Sequence, residues 1–402
     1  QAGAGSGTTI IGGATTLTGA LGFTGGNLVI NAAVGAGGTV SFTGSALTVN
    51  AAVTAGGAVT VANTGTFTTI AAGGITAAGA FTQSGAGANS LAGNVSLTLD
   101  SAALSFATAV TLTGNVVFST TNGAATFAEV VDGTADNDQN LTLNAGTGVV
   151  TFAKALGAVK KLGDVVANST GATKFQGAVL AKSLTTNAGG STELSADVTT
   201  TAAQSFGDAL SLKNNIILSG TDITLAQTVN SDGTARTLQV TGSGVTTFGG
   251  IVGGTAELAS LTVDGGGTTL LNAGTVTTAG AQSYTDAVTL GADTALVTTN
   301  SNVSFTSTLN SSEALATAGT PAPATLSITA GTGDVTFGNI VGGATYTATN
   351  GALGAVTLVS ATNVGINAAF TAASLTQQAG AGSGTTIIGG ATTLTGALGF
   401  TG

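Results

Sequence analysis

Between Asn27 and Gly65 apolar residues fall on alternate positions, as in Leu28-x-Ile30, Val40-x-Phe42, Leu47-x-Val49 and Val59-x-Val61. A period of two belongs to a strand with one buried face, not to a helix. The runs are short, and Gly pairs (Gly37-Gly38, Gly56-Gly57) separate them. This predicts strands joined by sharp corners, with glycine supplying positive φ. The pattern itself repeats: NLVINAAVGAGGTVSFTGS (27–45) aligns without gaps on ALTVNAAVTAGGAVTVANT (46–64), an offset of 19 residues. One such copy cannot bury its inward side chains alone, so it reads as one rung of a solenoid stacked on its neighbours.

Longer echoes follow. Ser105-Phe106-Ala107-Thr108-Ala109-Val110-Thr111-Leu112 returns as 205–212 and again, with Tyr284 for the Phe, as 283–290. LTLNAGTGVVTF (141–152) returns as LQVTGSGVTTF (238–248) and LSITAGTGDVTF (326–337). Their irregular spacing predicts blocks of a few rungs with insertions at corners, Pro321 and Pro323 marking one bulged loop. Residues 1–25 recur letter for letter as 378–402, an offset of 377 residues. The expectation is an all-β chain in which 1–377 form one continuous β-solenoid unit with rungs of about 19 residues, and 378–402 begin the next identical unit. Rungs about 4.8 Å apart would make such a unit roughly 90–100 Å long. Strand-borne Phe42, Phe152, Phe248 and Phe337 are expected to stack inward, an exposed ring ladder for sugars being the alternative. Asn or Thr at equivalent corners could form hydrogen-bonded ladders.

Composition sharpens this. Only 6% of residues are charged, yet 43% are hydrophobic, the opposite of a disordered chain. Net charge is −10, and Arg236 with six scattered Lys makes no basic stripe, so nucleic acid is not an expected partner. Cys and His are both absent, which removes disulfides, thiolate chemistry and the commonest metal ligand and proton shuttle. No run of about 18 apolar residues occurs, so no membrane-spanning helix is expected.

The paired-Gly rungs and the blocks GAQSYTDAVTLGADTALVTTNSNVSFTST (280–308) and LSITAGTGDVTFGNIVGG (326–343) resemble the filamentous haemagglutinin-like, autotransporter-type bacterial repeat adhesins. The resemblance covers most of the chain. It implies a right-handed parallel β-helix, an extracellular or bacterial cell-surface location, and a shaft or adhesive role.

Candidate chemistry is sparse. A polysaccharide-degrading β-helix needs clustered carboxylates with basic partners. The best grouping is Asp222, Asp232 and Arg236, with Lys213 about one rung earlier; it reads as solvated corner charges. Glu129, Asp132, Asp136 and Asp138 are the densest acids. They lack full calcium-loop spacing, and a solubilising loop that interrupts the rungs is the expectation. Lys160-Lys161 reads as an exposed corner, and Gly3–Gly7 lacks the Gly-Lys-Ser/Thr of a phosphate loop. Sequons at Asn94, Asn140, Asn168, Asn302 and Asn310 are what an Asn- and Thr-rich chain produces. No regular Thr-x-Thr array persists at one rung position, which argues against an ice-binding face. The expectation is therefore a non-enzymatic structural fibre without cofactors or a metal, whose partner is itself. A solenoid face that binds host or environmental glycans is the alternative.

Overall fold

The structure, a computed structural model, describes residues 7–312, 323–343, 351–378 and 384–401. The Gly3–Gly7 string, apart from Gly7, and Pro321 lie outside the described residues. The chain divides into two compact units, Gln1–Thr201 and Ala202–Gly402. Each is a parallel β-solenoid.

In the first unit one rung comprises Asn27–Ile30, Val34–Ala36 and Val40–Gly44, and the next comprises Leu47–Val49, Val53–Ala55 and Val59–Asn63. Leu28 faces Leu47, Val34 faces Val53, Val40 faces Val59 and Phe42 faces Val61, all in parallel pairing. This is the register that the 19-residue alignment gives. Strands of three residues suffice because each ladder continues into the next rung instead of along the strand.

The glycine pairs work differently from the expectation. Gly37 and Gly56 are not among the residues with positive φ. A Cβ on Gly56 would instead strike the Gly37 carbonyl of the rung before, and one on Gly37 would strike that of Thr18. Close backbone approach, not handedness, demands glycine there. Positive φ occurs elsewhere, at Asn122 (59°) and at Gly146 (58°), where a Cβ would meet the Asn122 side chain.

The 19-residue spacing holds for the first rungs and then lengthens, so that the turns as a whole average near 21. Thr126 faces Thr151, for example. Most extra residues enter at corners, so most pairings stay in register while the intervening chain grows; the register shifts between Ser96 and Asp100, between Asn144 and Gly146, and between Ile328 and Thr329.

The core is a set of inward columns. Phe81, Phe106, Phe127, Phe152 and Phe175 stack ring on ring with centroids 5.2 to 5.5 Å apart. Phe42, Phe152, Phe248 and Phe337 are all buried, so the inward reading holds for each. In the second unit one inward column runs Leu218, Val240, Val263, Tyr284, Phe305, Phe337, Ile366 and Ile388, each facing the next in register. Every echo noted in the sequence falls on the same device. Ser105-Phe106 and Val110–Leu112, like Ser283-Tyr284 and Val288–Leu290, lie on consecutive strands around one corner.

Candidate functional site

A feature that recurs among the described residues is a corner staple. An Asn or Asp side-chain oxygen at one corner accepts the backbone N–H of the following rung: Asn94 from Val117 (2.8 Å), Asn115 from Asn140 (2.9 Å), Asn140 from Asp164 (2.7 Å) and Asn215 from Thr237 (3.0 Å). Corner amides have no ladder partner of their own, so a short side chain with an acceptor two bonds from Cβ satisfies them. In the second unit the staples form a column: Asn302 accepts from Asp334 (2.8 Å), Asp334 from Asn363 (3.0 Å), and Asn363 from Thr385 (3.0 Å).

This device absorbs Asp132, Asp136 and Asp222 among the residues singled out for chemistry. Asp132 accepts from Val159 N at 3.0 Å and Asp136 from Lys161 N at 3.0 Å, while Asp138 accepts from Gln139 Nε2 at 2.7 Å. Lys160 lies 3.8 Å from Asp136, so the dibasic pair closes on the acidic loop through one side chain and one backbone amide. Glu129 is exposed. Asp222 is held by Val245 N at 2.7 Å, whereas Asp232 takes a two-pronged contact from Arg236 (Nε 3.1 Å, Nη2 3.2 Å). That guanidinium holds the Asp232 carboxyl below its ordinary value. Among the described residues, no three Asp or Glu side chains converge as metal ligands. The sequon side chains Asn94, Asn140 and Asn302 serve as staples, and Asn168 donates to Asn144 at 2.8 Å.

Three features escaped the sequence reading. The first is a buried amide network: Gln83 Nε2 donates to Asn63 Oδ1 (2.9 Å) and Gly85 O (2.7 Å), and its Oε1 accepts from Ala107 N (3.1 Å) and Thr108 N (3.3 Å). Gln282 does the same work in the second unit, donating to Val276 O and Val297 O and accepting from the buried Tyr284 hydroxyl at 3.2 Å. The second is Asp286, which is 4% exposed and accepts from Gly266 N at 2.9 Å through Oδ1, while Oδ2 has no partner. Burial pushes its carboxyl above the ordinary value, opposed by the Gly266 bond and reinforced by the Asp264 charge.

The third is a set of outward hydroxyl rows. Ser41, Thr60, Thr82, Ser105, Thr126 and Thr151 face one another on successive rungs, and the same positions are then taken by Lys174 and Glu193, 3.8 Å apart. Thr262, Ser283, Ser304 and Thr336 form a second row in the second unit. Fixed-period inspection misses such rows because the corners between their members differ in length. Aligning the strand centres, not the residue numbers, would have revealed them.

The chain matches no known protein-family model, no curated protein and no solved structure.

Proposed function

We propose that the protein is a structural shaft, a length of a long extracellular bacterial fibre or surface filament built from tandem 377-residue β-solenoid units. The observation that carries the proposal is the stapled stack. Within each unit rung follows rung in parallel register, and corner Asn and Asp oxygens bind the amides of the next rung, from Asn27 in the first unit to Asn363 in the second. Such a stack has few unpaired backbone groups for a protease or a competing strand to engage. The recurrence of residues 1–25 at 378–402 supplies the rung on which a following unit continues. Electron microscopy of the native assembly tests this. Smooth thin filaments with an axial repeat near the length expected from the rung count support it, and compact globular particles overturn it.

The hydroxyl rows favour one second reading, an adhesin whose solenoid face grips glycans. A row of half-buried Ser and Thr, one per rung, offers donors and acceptors at a fixed spacing near 4.8 Å to an extended polar polymer. Binding on a glycan array that disappears when Thr60, Thr82 and Thr126 are changed together to Val would establish that role. Silence on the array would leave the shaft alone.

A further inference from the structure

Two inward threonines interrupt an apolar column of the second unit. Ile223, Thr246, Thr269 and Val288 face one another on four successive rungs. The column beside them, Leu225, Phe248, Leu271 and Leu290, is apolar throughout. Thr246 and Thr269 are buried, and neither hydroxyl has a hydrogen-bond partner. Valine has nearly the same shape and no hydroxyl to satisfy, so packing alone does not account for threonine at both places.

The corner that leads into these strands supplies more oxygen. Asp286 lies two residues before Val288, and its Oδ1 accepts from the Gly266 amide at 2.9 Å. Its Oδ2 is buried and has no partner. One rung earlier the chain turns through Gly265, Gly266 and Gly267, with φ of 121° and 81° at the first two. A Cβ on Gly265 or on Gly267 would lie 2.6 Å from the Gly242 carbonyl oxygen, so the turn wraps round that oxygen. A Cβ on Gly242 would lie 2.6 Å from Thr246 Oγ1. Three rungs thus bring a carbonyl, two hydroxyls and a carboxylate oxygen to one corner, and the three side-chain oxygens among them are out of reach of bulk water.

Buried polar atoms that cannot satisfy one another call for a further group that meets them. The donor set states its chemistry. It is oxygen alone, and it carries the Asp286 charge. Asp264, half-buried in the preceding rung, adds a second negative charge, its own oxygens held by Gln239 Nε2 at 2.9 Å and Thr241 Oγ1 at 2.8 Å. Oxygen ligands with carboxylate charge suit a hard cation. Calcium accepts an irregular mixture of carboxylate, main-chain and neutral oxygens, whereas magnesium demands a near-ideal octahedron and keeps its water.

We propose that the inner corner formed by Gly242, Thr246, Thr269 and Asp286 is a calcium site that clamps three successive rungs. Asp286 Oδ2 supplies the charge, the two hydroxyls and the Gly242 carbonyl supply neutral oxygens, and water completes the shell. The site lies within one unit and goes beyond the shaft reading, on which it does not depend.

Titration of chelator-treated protein with calcium chloride tests it. The denaturant midpoint of the parent is expected to rise with calcium, and to rise far less with equal magnesium or with sodium chloride of equal ionic strength. Asp286→Asn should show no calcium response, although without calcium it is the more stable protein because a buried charge is gone. Thr246→Val and Thr269→Val should fold as well as the parent in chelator and bind calcium about tenfold more weakly. Terbium, which takes calcium sites, gives a second readout. The chain has no tryptophan, and Tyr284 lies two residues from Asp286, so excitation of tyrosine should light bound terbium. Tyr284→Phe should lose that emission and keep the calcium response, whereas Asp286→Asn should lose both. A calcium response that persists in Asp286→Asn, one that magnesium or sodium chloride matches, or none in the parent overturns the proposal.

Discussion

Thr108 and Asp286 hold the same place in a recurring segment, one after Ser105-Phe106-Ala107 in the first unit, the other after Ser283-Tyr284-Thr285 in the second. Both sit at a corner where an inward strand turns. Thr108 donates from Oγ1 to the Gly87 carbonyl at 2.6 Å, and its amide meets Gln83 Oε1. Asp286 receives one backbone N–H and keeps an oxygen without a partner. The strands around the two corners are alike, so the solenoid frame does not depend on what fills the corner. The corner's chemistry decides local stability and its response to pH. The neighbouring columns differ in the same sense: the first unit stacks phenyl rings alone, whereas the second begins its stack with a tyrosine tied to Gln282.

The strongest way to break the comparison is through the rings. Phe127 lies 5.2 to 5.5 Å from three other rings, Phe106, Phe118 and Phe152. Phe127→Ala should cost about 3–5 kcal/mol in denaturant unfolding. Phe305→Ala should cost less within that range, because among the described residues the rings that Phe305 meets are those of Tyr284 and Phe337. Equal costs would show that cavity size, not ring contact, governs both columns.

Next in size is the buried amide. Gln83→Leu keeps most of the volume but strips the Thr108 amide of the Gln83 Oε1 acceptor and leaves Asn63 Oδ1 without its donor, while the Ala107 amide keeps the residue 83 carbonyl. A loss of about 1–3 kcal/mol is expected from such unmet groups. The same denaturation series measures it, and no change would mean that water replaces the amide.

The corner carboxylate should show itself in pH. Because the folded Asp286 pKa is raised above 3.8, the native state holds its proton longer than the unfolded chain. Its contribution falls as pH rises from that value through the folded pKa, and the penalty is complete above it. Asp286→Asn should flatten this slope and raise the midpoint at neutral pH. Asp232 runs the other way: its depressed pKa adds stability above 3.8 that disappears as pH falls through the folded value. A midpoint that climbs with pH across the acid range in the parent, and is unchanged in the Asn variant, would refute the assignment for Asp286.

The smallest effect belongs outside the stack. Thr82→Ala in the outward row should shift stability by no more than about 0.5 kcal/mol, since surface substitutions seldom do more. A larger loss would mean that the hydroxyl row helps hold the rungs together.

The strand alternation and the 19-residue alignment made the class of fold and the register of 27–64 legible before any coordinates. They did so because the inward pairs that set the register are apolar on both rungs, Leu28 on Leu47, Ile30 on Val49, Val34 on Val53 and Phe42 on Val61. The role of the Gly pairs was legible in position and wrong in cause, since contact with the rung behind leaves no mark on a single rung's sequence. Interior amides such as Gln83 and Gln282 were invisible for a related reason: a glutamine is buried only when a neighbouring rung supplies corner carbonyls at the right height. Asp286 looked like any other scattered acid. Its burial follows from the corner it occupies, and that corner's packing partners lie a rung away, around Gly266.

The staples and ladders share one property with a consequence for how the chain comes to be folded. Nearly every contact described reaches back one rung, about 21 residues, and none needs a distant part of the sequence. Ordering can therefore advance from a single finished rung, each new stretch closing on the template just laid down. A chain of this kind can fold while it is still emerging, end first, from a ribosome or through a narrow opening, and its folding time should grow with the number of rungs instead of with the search among all their pairings.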